Sequence, residues 1–428
     1  MIRRIFFLFF IFTALAQAQL RIEIRQGIES PLRIAIPGFA GEPQLSLLLD
    51  EIIEADLANS GRFYAMADNE LLSFPTQPEQ VNINDWRITD TDYLLVGQLD
   101  SDSFENLRIS FQLFDIVRGE QVLGFRLSST VNNLRNSAHR IADIIFQELL
   151  GIEGIFSTQI AYVSESTRND QSFFQIVIAD IDGTNPFVVI ESSEPLMSPA
   201  WSPDSRKIAY VSFENERSEI YVQDLATGFR DRVSFRQGIN GAPSFSPDGK
   251  QLALTLSGVD GNLDIYILEL DTQRLTRLTE SYSIDTEPTW SPDGDYIYFT
   301  SDRVGNPQIY RVEARPRGQI ERITFEGNYN ARPRVSPDGE SIIVVHQFNG
   351  DYRIALVDLE TRITQVLSEG QLDESPSFAP NGDVVMYATR EQGRGVLSSV
   401  TSDGRIHQRI ASIGEDVREP AWSPYALQ

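Results

Sequence analysis

Six copies of one seven-residue phrase divide the last two thirds of this chain into nearly equal parts. They read Pro199-Ala-Trp-Ser-Pro-Asp-Ser205, Pro243-Ser-Phe-Ser-Pro-Asp-Gly249, Pro288-Thr-Trp-Ser-Pro-Asp-Gly294, Pro333-Arg-Val-Ser-Pro-Asp-Gly339, Pro376-Ser-Phe-Ala-Pro-Asn-Gly382 and a shortened Pro420-Ala-Trp-Ser-Pro-Tyr425. Their second prolines fall at 203, 247, 292, 337, 380 and 424, in steps of 44, 45, 45, 43 and 44 residues. A period of forty-odd residues built from short strands is the mark of a β-propeller, one blade per period. The phrase itself is a strand end followed by a turn. Proline presets φ, aspartate bonds its own backbone, and glycine accepts a positive φ at the exit. Apolar runs at 208–211, 252–255 and 297–299 follow and suit strands buried between blades. Third strands at 219–222, 264–267, 308–311 and 352–356, polar turns, and fourth strands such as 275–278 and 321–324 complete four strands per period.

The two ends of the repeat complement each other. The sixth phrase has no second strand after it, and residues 159–164 form a second strand with no phrase before it. Pairing the C-terminal strand with strand 159–164 closes a sixth blade and removes an open sheet edge. The expected architecture is therefore a six-bladed β-propeller over 157–428, joined through a linker at 151–156 to an α/β domain at 19–150. In that first domain, 32–37, 93–99, 107–113 and 122–127 read as strands. Leu45, Leu48, Leu49, Ile52 and Ile53 mark one helix, and Leu134, Ala138, Ile141, Ile145 and Leu149 a second that stops at Gly151.

Residues 1–18 carry a different signal. Arg3 and Arg4 precede the apolar stretch 5–15, and Ala16-Gln-Ala18 suits signal peptidase. The stretch is too short to span a bilayer. Export to a bacterial periplasm with cleavage after Ala18 is expected. The chain has no cysteine, so that compartment brings no disulfide and no thiolate metal site. Its net charge of −25 argues against nucleic acid or anionic lipid as direct partners.

The order of these parts resembles the TolB family, the periplasmic components of the Tol–Pal envelope system. The resemblance spans the chain. It is carried by Thr286-Glu-Pro-Thr-Trp290, Asn240-Gly-Ala-Pro243, the stretch from Asp373 to Gly382, the terminal phrase, and the start Leu20-Arg-Ile-Glu-Ile24 followed by Arg33-Ile-Ala-Ile-Pro37. It implies binding of the lipoprotein Pal at the mouth of the propeller channel. It also implies engagement of TolA by the N-terminal segment, with the two events coupled and serving outer-membrane integrity and cell division. The segment 236–239 departs from the pattern in offering no aromatic at the mouth.

The loops ahead of each phrase run inward to that mouth. The residues expected to seat Pal there are Asn240, Gly241, Thr286, Glu287, Arg332, Glu374 and Glu419. The alternating Leu20, Arg21, Ile22, Glu23 and Ile24 suit addition to the sheet edge of TolA, or serve as the first strand of their own domain. The alternative is an enzyme, a propeller lyase or hydrolase with a channel pocket. Against it, His139, His346 and His407 are the only histidines and show no metal spacing, and no nucleophile elbow, Walker loop or dinucleotide fingerprint occurs. A monomeric, non-enzymatic protein with no cofactor, no metal site and no membrane insertion of its own, peripheral through Pal, is expected.

Overall fold

Buried on both faces, each blade strand needs apolar residues at consecutive positions, and this is how the blades stack. In the blade that follows the first phrase, Ile208 and Tyr210 pack on Ala161 and Val163 of the preceding blade. The intervening Ala209 and Val211 pack on Leu252 and Leu254 of the next. A computed structural model of the protein describes residues 20–26, 30–101, 106–259, 261–412 and 416–426. The proposed leader at 1–18 lies outside them.

Five blades are antiparallel meanders that begin at an inner strand: Leu196–Trp201, Asn240–Phe245, Asp285–Trp290, Asn330–Val335 and Glu374–Phe378. The sixth is assembled from both ends of the repeat. Strand Asp416–Trp422 pairs antiparallel with Gln159–Arg168, with Trp422 opposite Ile160 and Ala421 opposite Ala161. The ring closes as the sequence implies.

The N-terminal region forms a mixed sheet in the order Phe63–Ala65, Leu32–Ala35, Tyr93–Ser101, Asn106–Asp115, Glu120–Thr130, with Phe39–Ala40 also on Tyr93–Ser101. Its helices are α1 (Pro43–Asn59), the single turn α2 (Ile83–Arg87) and α3 (Leu134–Leu150). α1 starts with Pro43 in its first turn and buries Leu49, Ile52, Ile53 and Leu57, while Leu48 sits at the exposed edge of the apolar stripe. α3 ends at Gly151, whose φ of 71° lets its N–H reach the Gln147 carbonyl at 2.9 Å.

The connection to the propeller is pinned. The Asp143 carboxylate accepts from the N–H groups of Phe156 at 2.7 Å and Ser157 at 3.1 Å, and Asn381 of the propeller donates to the Glu153 carbonyl at 2.9 Å. Phe156 is buried in a core that runs on through Ile160 and Trp422. The N-terminal region therefore sits on the face of the propeller where the Ser-Pro-x-Gly turns emerge. Arg62 pairs with Asp383 at 3.2 Å and Arg135 with Asp180 at 3.4 Å and with Asp182.

Leu20–Gln26 does not join the sheet of its own region. It pairs antiparallel with His407–Ser412, adding a fifth strand to the blade that begins at Glu374. The reading of this segment as the first strand of the α/β domain is corrected. Its backbone is satisfied by the open edge of a propeller blade, an edge that alternation of side chains alone does not name.

Glu54 is one of the carboxyls that make the N-terminal region pH-sensitive. Burial, helped by Asp68 and Glu51, pushes Glu54 of α1 up to about 7. An unfolded glutamate ionises near ~4.3. Between these values the unfolded chain releases a proton that the folded one keeps. Stability from this group thus falls as pH rises from about 4 to about 7 and then levels. Glu54→Gln is expected to flatten that slope and raise Tm at pH 8. Parallel melting curves of wild type and variant across this range check it.

Candidate functional site

One structural device repeats at the end of the channel opposite the N-terminal region. In every inner strand the pairing register skips just ahead of the first proline of the phrase, between Met197 and Ala200, Gly241 and Ser244, Thr286 and Thr289, Ala331 and Arg334, Glu374 and Ser377, and Arg418 and Ala421. Each skip is a bulge, and bulges re-aim side chains. The residue immediately before each proline is left-handed: Ser198, Ala242, Glu287, Arg332, Ser375 and Glu419 have φ of 53°, 47°, 57°, 54°, 54° and 50°. Non-glycine residues held there store of order 1 kcal/mol or more each. These six residues and the prolines Pro199, Pro243, Pro288 and Pro420 line the channel mouth.

The mouth carries an asymmetric set of charges. Arg332 Nε donates to Glu287 Oε1 at 2.9 Å, and its own backbone N–H donates to Glu287 Oε2, also at 2.9 Å. Thr300 Oγ1 donates to the same carboxylate at 2.8 Å, and Arg332 Nη1 reaches Ser375 Oγ. Glu419 Oε2 accepts from the Ser198 N–H at 2.5 Å, across the seam where the ring closes. Burial alone would lower the pKa of Arg332, but Glu287, Glu419 and Glu374 outweigh it and hold the guanidinium charged. Around this ring, the loops leading into the inner strands expose Phe235, Ile239, Tyr282, Ile284, Phe325 and Leu372. Exposed aromatic side chains and an arginine are residue types enriched where proteins dock.

Of the seven residues expected at the mouth, the structure brings Glu287, Arg332 and Glu419 together. Gly241, Thr286 and Glu374 lie one residue ahead of the ring and do not line the opening. Asn240 is a correction. It is fully buried, its amide donating to the carbonyls of Ser218 at 3.0 Å and Arg236 at 2.7 Å and accepting from Ser234 Oγ at 2.7 Å. It shapes the incoming loop and presents nothing to a partner. Asp285, which pairs with Arg303 at 2.8 Å, and Asn330, bonded to Gln308 at 3.0 Å, stand at the same position in the next two blades. The segment 236–239 carries no aromatic; Phe235, one residue earlier, is half exposed with Arg232 over its ring at 4.2 Å. Ser198, Ala242 and Ser375 were missed. Reading the single position before each proline across the six phrases would have found them.

The histidines are dispersed. His139 lies in α3 against Asp56 of α1 at 2.6 Å, His346 contacts Asn330 at 2.9 Å, and His407 contacts the Gly404 carbonyl at 3.1 Å. Among the described residues no three His, Asp or Glu side chains are grouped to hold a metal ion. No helix among them is long and apolar enough to cross a membrane.

Comparison with known proteins agrees with this geometry. A family model for the TolB amino-terminal domain matches residues 20–122, and one for the TolB β-propeller domain matches 146–426. The chain is 51% identical to the Tol-Pal system protein TolB of Thioalkalivibrio sulfidiphilus over 432 residues, covering 99% of this chain and 98% of the relative. It is 53% identical to the protein of the same name from Methylococcus capsulatus, with the same coverage. The crystal structure of TolB from Acinetobacter baumannii superposes with a TM-score of 0.88 at 41% identity, over 95% of this chain and 100% of that one.

Proposed function

Because this chain belongs to the TolB family, we propose that it joins two other Tol–Pal components, Pal at the channel mouth and TolA at the N-terminal segment. The chain is a Tol–Pal scaffold protein, and its work is contact. The observation that carries the choice of face is the ring of six left-handed residues. Its strain is held by the blades before any partner arrives, and rigid pre-organised groups bind at the least entropic cost. The N-terminal region covers the opposite face, so the mouth is open to a partner. Export through the leader and cleavage after Ala18 place the scaffold in the periplasm, attached to the envelope through Pal.

The TolA reading rests on the strand Leu20–Gln26. Docked on a blade edge by backbone hydrogen bonds, it is a segment that a partner's sheet edge can compete for. Binding at the mouth and release of this strand are the two ends of the proposed coupling.

Calorimetry with the mature protein and the soluble part of Pal tests the mouth. Micromolar or tighter binding is expected, weakened at least tenfold (about 1.4 kcal/mol) by Glu287→Ala with Arg332→Ala. Absence of binding by wild type removes the scaffold assignment; undiminished binding by the double variant moves Pal to another face. Deleting residues 19–30 is expected to abolish TolA binding and leave Pal binding in place.

A further inference from the structure

At the position after the first proline of each phrase, five of six blades carry a small residue. These are Ala200, Ser244, Thr289, Ser377 and Ala421. The blade that begins at Asn330 breaks the rule with Arg334. We propose that the channel just inside the mouth is an anion site that takes one carboxylate group, with Arg334 as its ligand and Arg332 beside it.

Arg334 lines the channel together with Arg332, Glu287 and Glu419. Arg332 is satisfied by Glu287 and Ser375. Arg334 is not: its one hydrogen bond among the described residues runs from Nη1 to the carbonyl of its own neighbour Pro333 at 2.9 Å, and it makes no ion pair there. Burial in the channel and repulsion from Arg332 hold its pKa below the usual arginine range, although Glu287 and Glu419 pull the other way. A guanidinium stays protonated even so, and Arg334, only partly exposed, carries that charge without an ion pair among the described residues, which is costly. An anion relieves that cost. The two nearby glutamates make a dianion less welcome than a monoanion, and the planar fork of arginine fits a carboxylate bidentately. Two sources carry this group: a free small carboxylate, or an Asp or Glu side chain that a docked partner inserts into the mouth.

The test uses the full mature chain, Arg334→Ser, which installs the residue found at 244 and 377, and Arg334→Gln as a second neutral variant. Arg315→Ser, an exposed arginine elsewhere on the ring, is the control. Replacing chloride by acetate at constant ionic strength and pH, in the tens of millimolar, is expected to raise Tm by about 1–2 °C in wild type and control. The two Arg334 variants are expected to show no shift. Equal shifts in all four proteins overturn the site, as does no shift in wild type. The partner arm rests on the mouth reading. A tenfold loss of Pal binding in Arg334→Ser, with acetate competing in wild type, assigns the carboxylate to the partner. Unchanged Pal binding beside a lost acetate response assigns it to a free acid. Failure of wild type to bind Pal at all removes the docking reading and leaves the acetate result standing.

Discussion

Trp422→Ala is expected to destabilise the protein by about 3–5 kcal/mol, the range for truncating a large buried aromatic, seen as a fall in the urea midpoint. Trp422 ends the strand that closes the ring. Its indole is buried, lies in the core shared with Phe156 and Ile160, and donates from Nε1 to Thr158 Oγ1 at 2.8 Å. The tryptophans of other phrases bridge blades in the same way, Trp201 donating to the Ala421 carbonyl at 3.0 Å and Trp290 to the Ser244 carbonyl at 3.1 Å. Trp422 differs in what it joins. It ties the last strand to the segment that enters the first, so no covalent neighbour holds that contact if packing is lost. Trp422→Phe keeps most of the buried area and loses the hydrogen bond, and should cost about 1 kcal/mol. A loss below about 1 kcal/mol for the alanine variant would show that the seam does not depend on this side chain.

The second large effect lies in the N-terminal region. Asp56→Ala is expected to cost about 3–5 kcal/mol near pH 7, because it strands a buried partner. Asp56 Oδ2 and His139 Nδ1 are 2.6 Å apart, with both side chains almost fully buried, and His139 Nε2 has no partner among the described residues. Burial lowers the pKa of His139, but its contact with Asp56 outweighs this, so the folded value is raised. Burial pushes Asp56 up to about 6 despite His139. The sign follows for each. The raised histidine contributes stability that is full below ~6.5, the unfolded value, and is lost as pH rises through the folded one. The raised aspartate has the opposite sign to a paired carboxylate: it keeps its proton up to about 6, so its own contribution falls as pH rises from ~3.9 to about 6, and the charged pair forms only above that. The charged pair is thus complete from about pH 6 up to the folded pKa of His139. Asp56→Asn, which keeps the shape and removes the charge, should cost more at pH 7 than at pH 9 in urea titrations. Equal losses at the two pH values would show that charge plays no part in the contact.

How far the sequence reads through to the structure differs by element. The helix end at Gly151 and the blade turns are local events, decided by which residues tolerate a positive φ or lack an N–H, and they were legible. The mouth was legible only to within a residue or two. Gly241, Thr286 and Glu374 were placed at the opening because each lies two residues ahead of a phrase's first proline, a count that does not say which side chain turns inward. A bulge inserts one residue into that count and turns the next side chain, here Ala242, Glu287 or Ser375, toward the axis. Asp56 and His139 are 83 residues apart on different helices, and neither position announces the other.

The amino-acid sequence by itself determined the number of blades, the closure of the ring by its own C-terminus and the family, because each depends on a repeated local pattern and its count. Tertiary structure alone decided which residue of each phrase lines the channel, that Arg334 stands there without an ion pair among the described residues, and that the N-terminal strand lies on a propeller blade. Those outcomes depend on register and on which sheet edge remains open, and both are set only when distant strands meet.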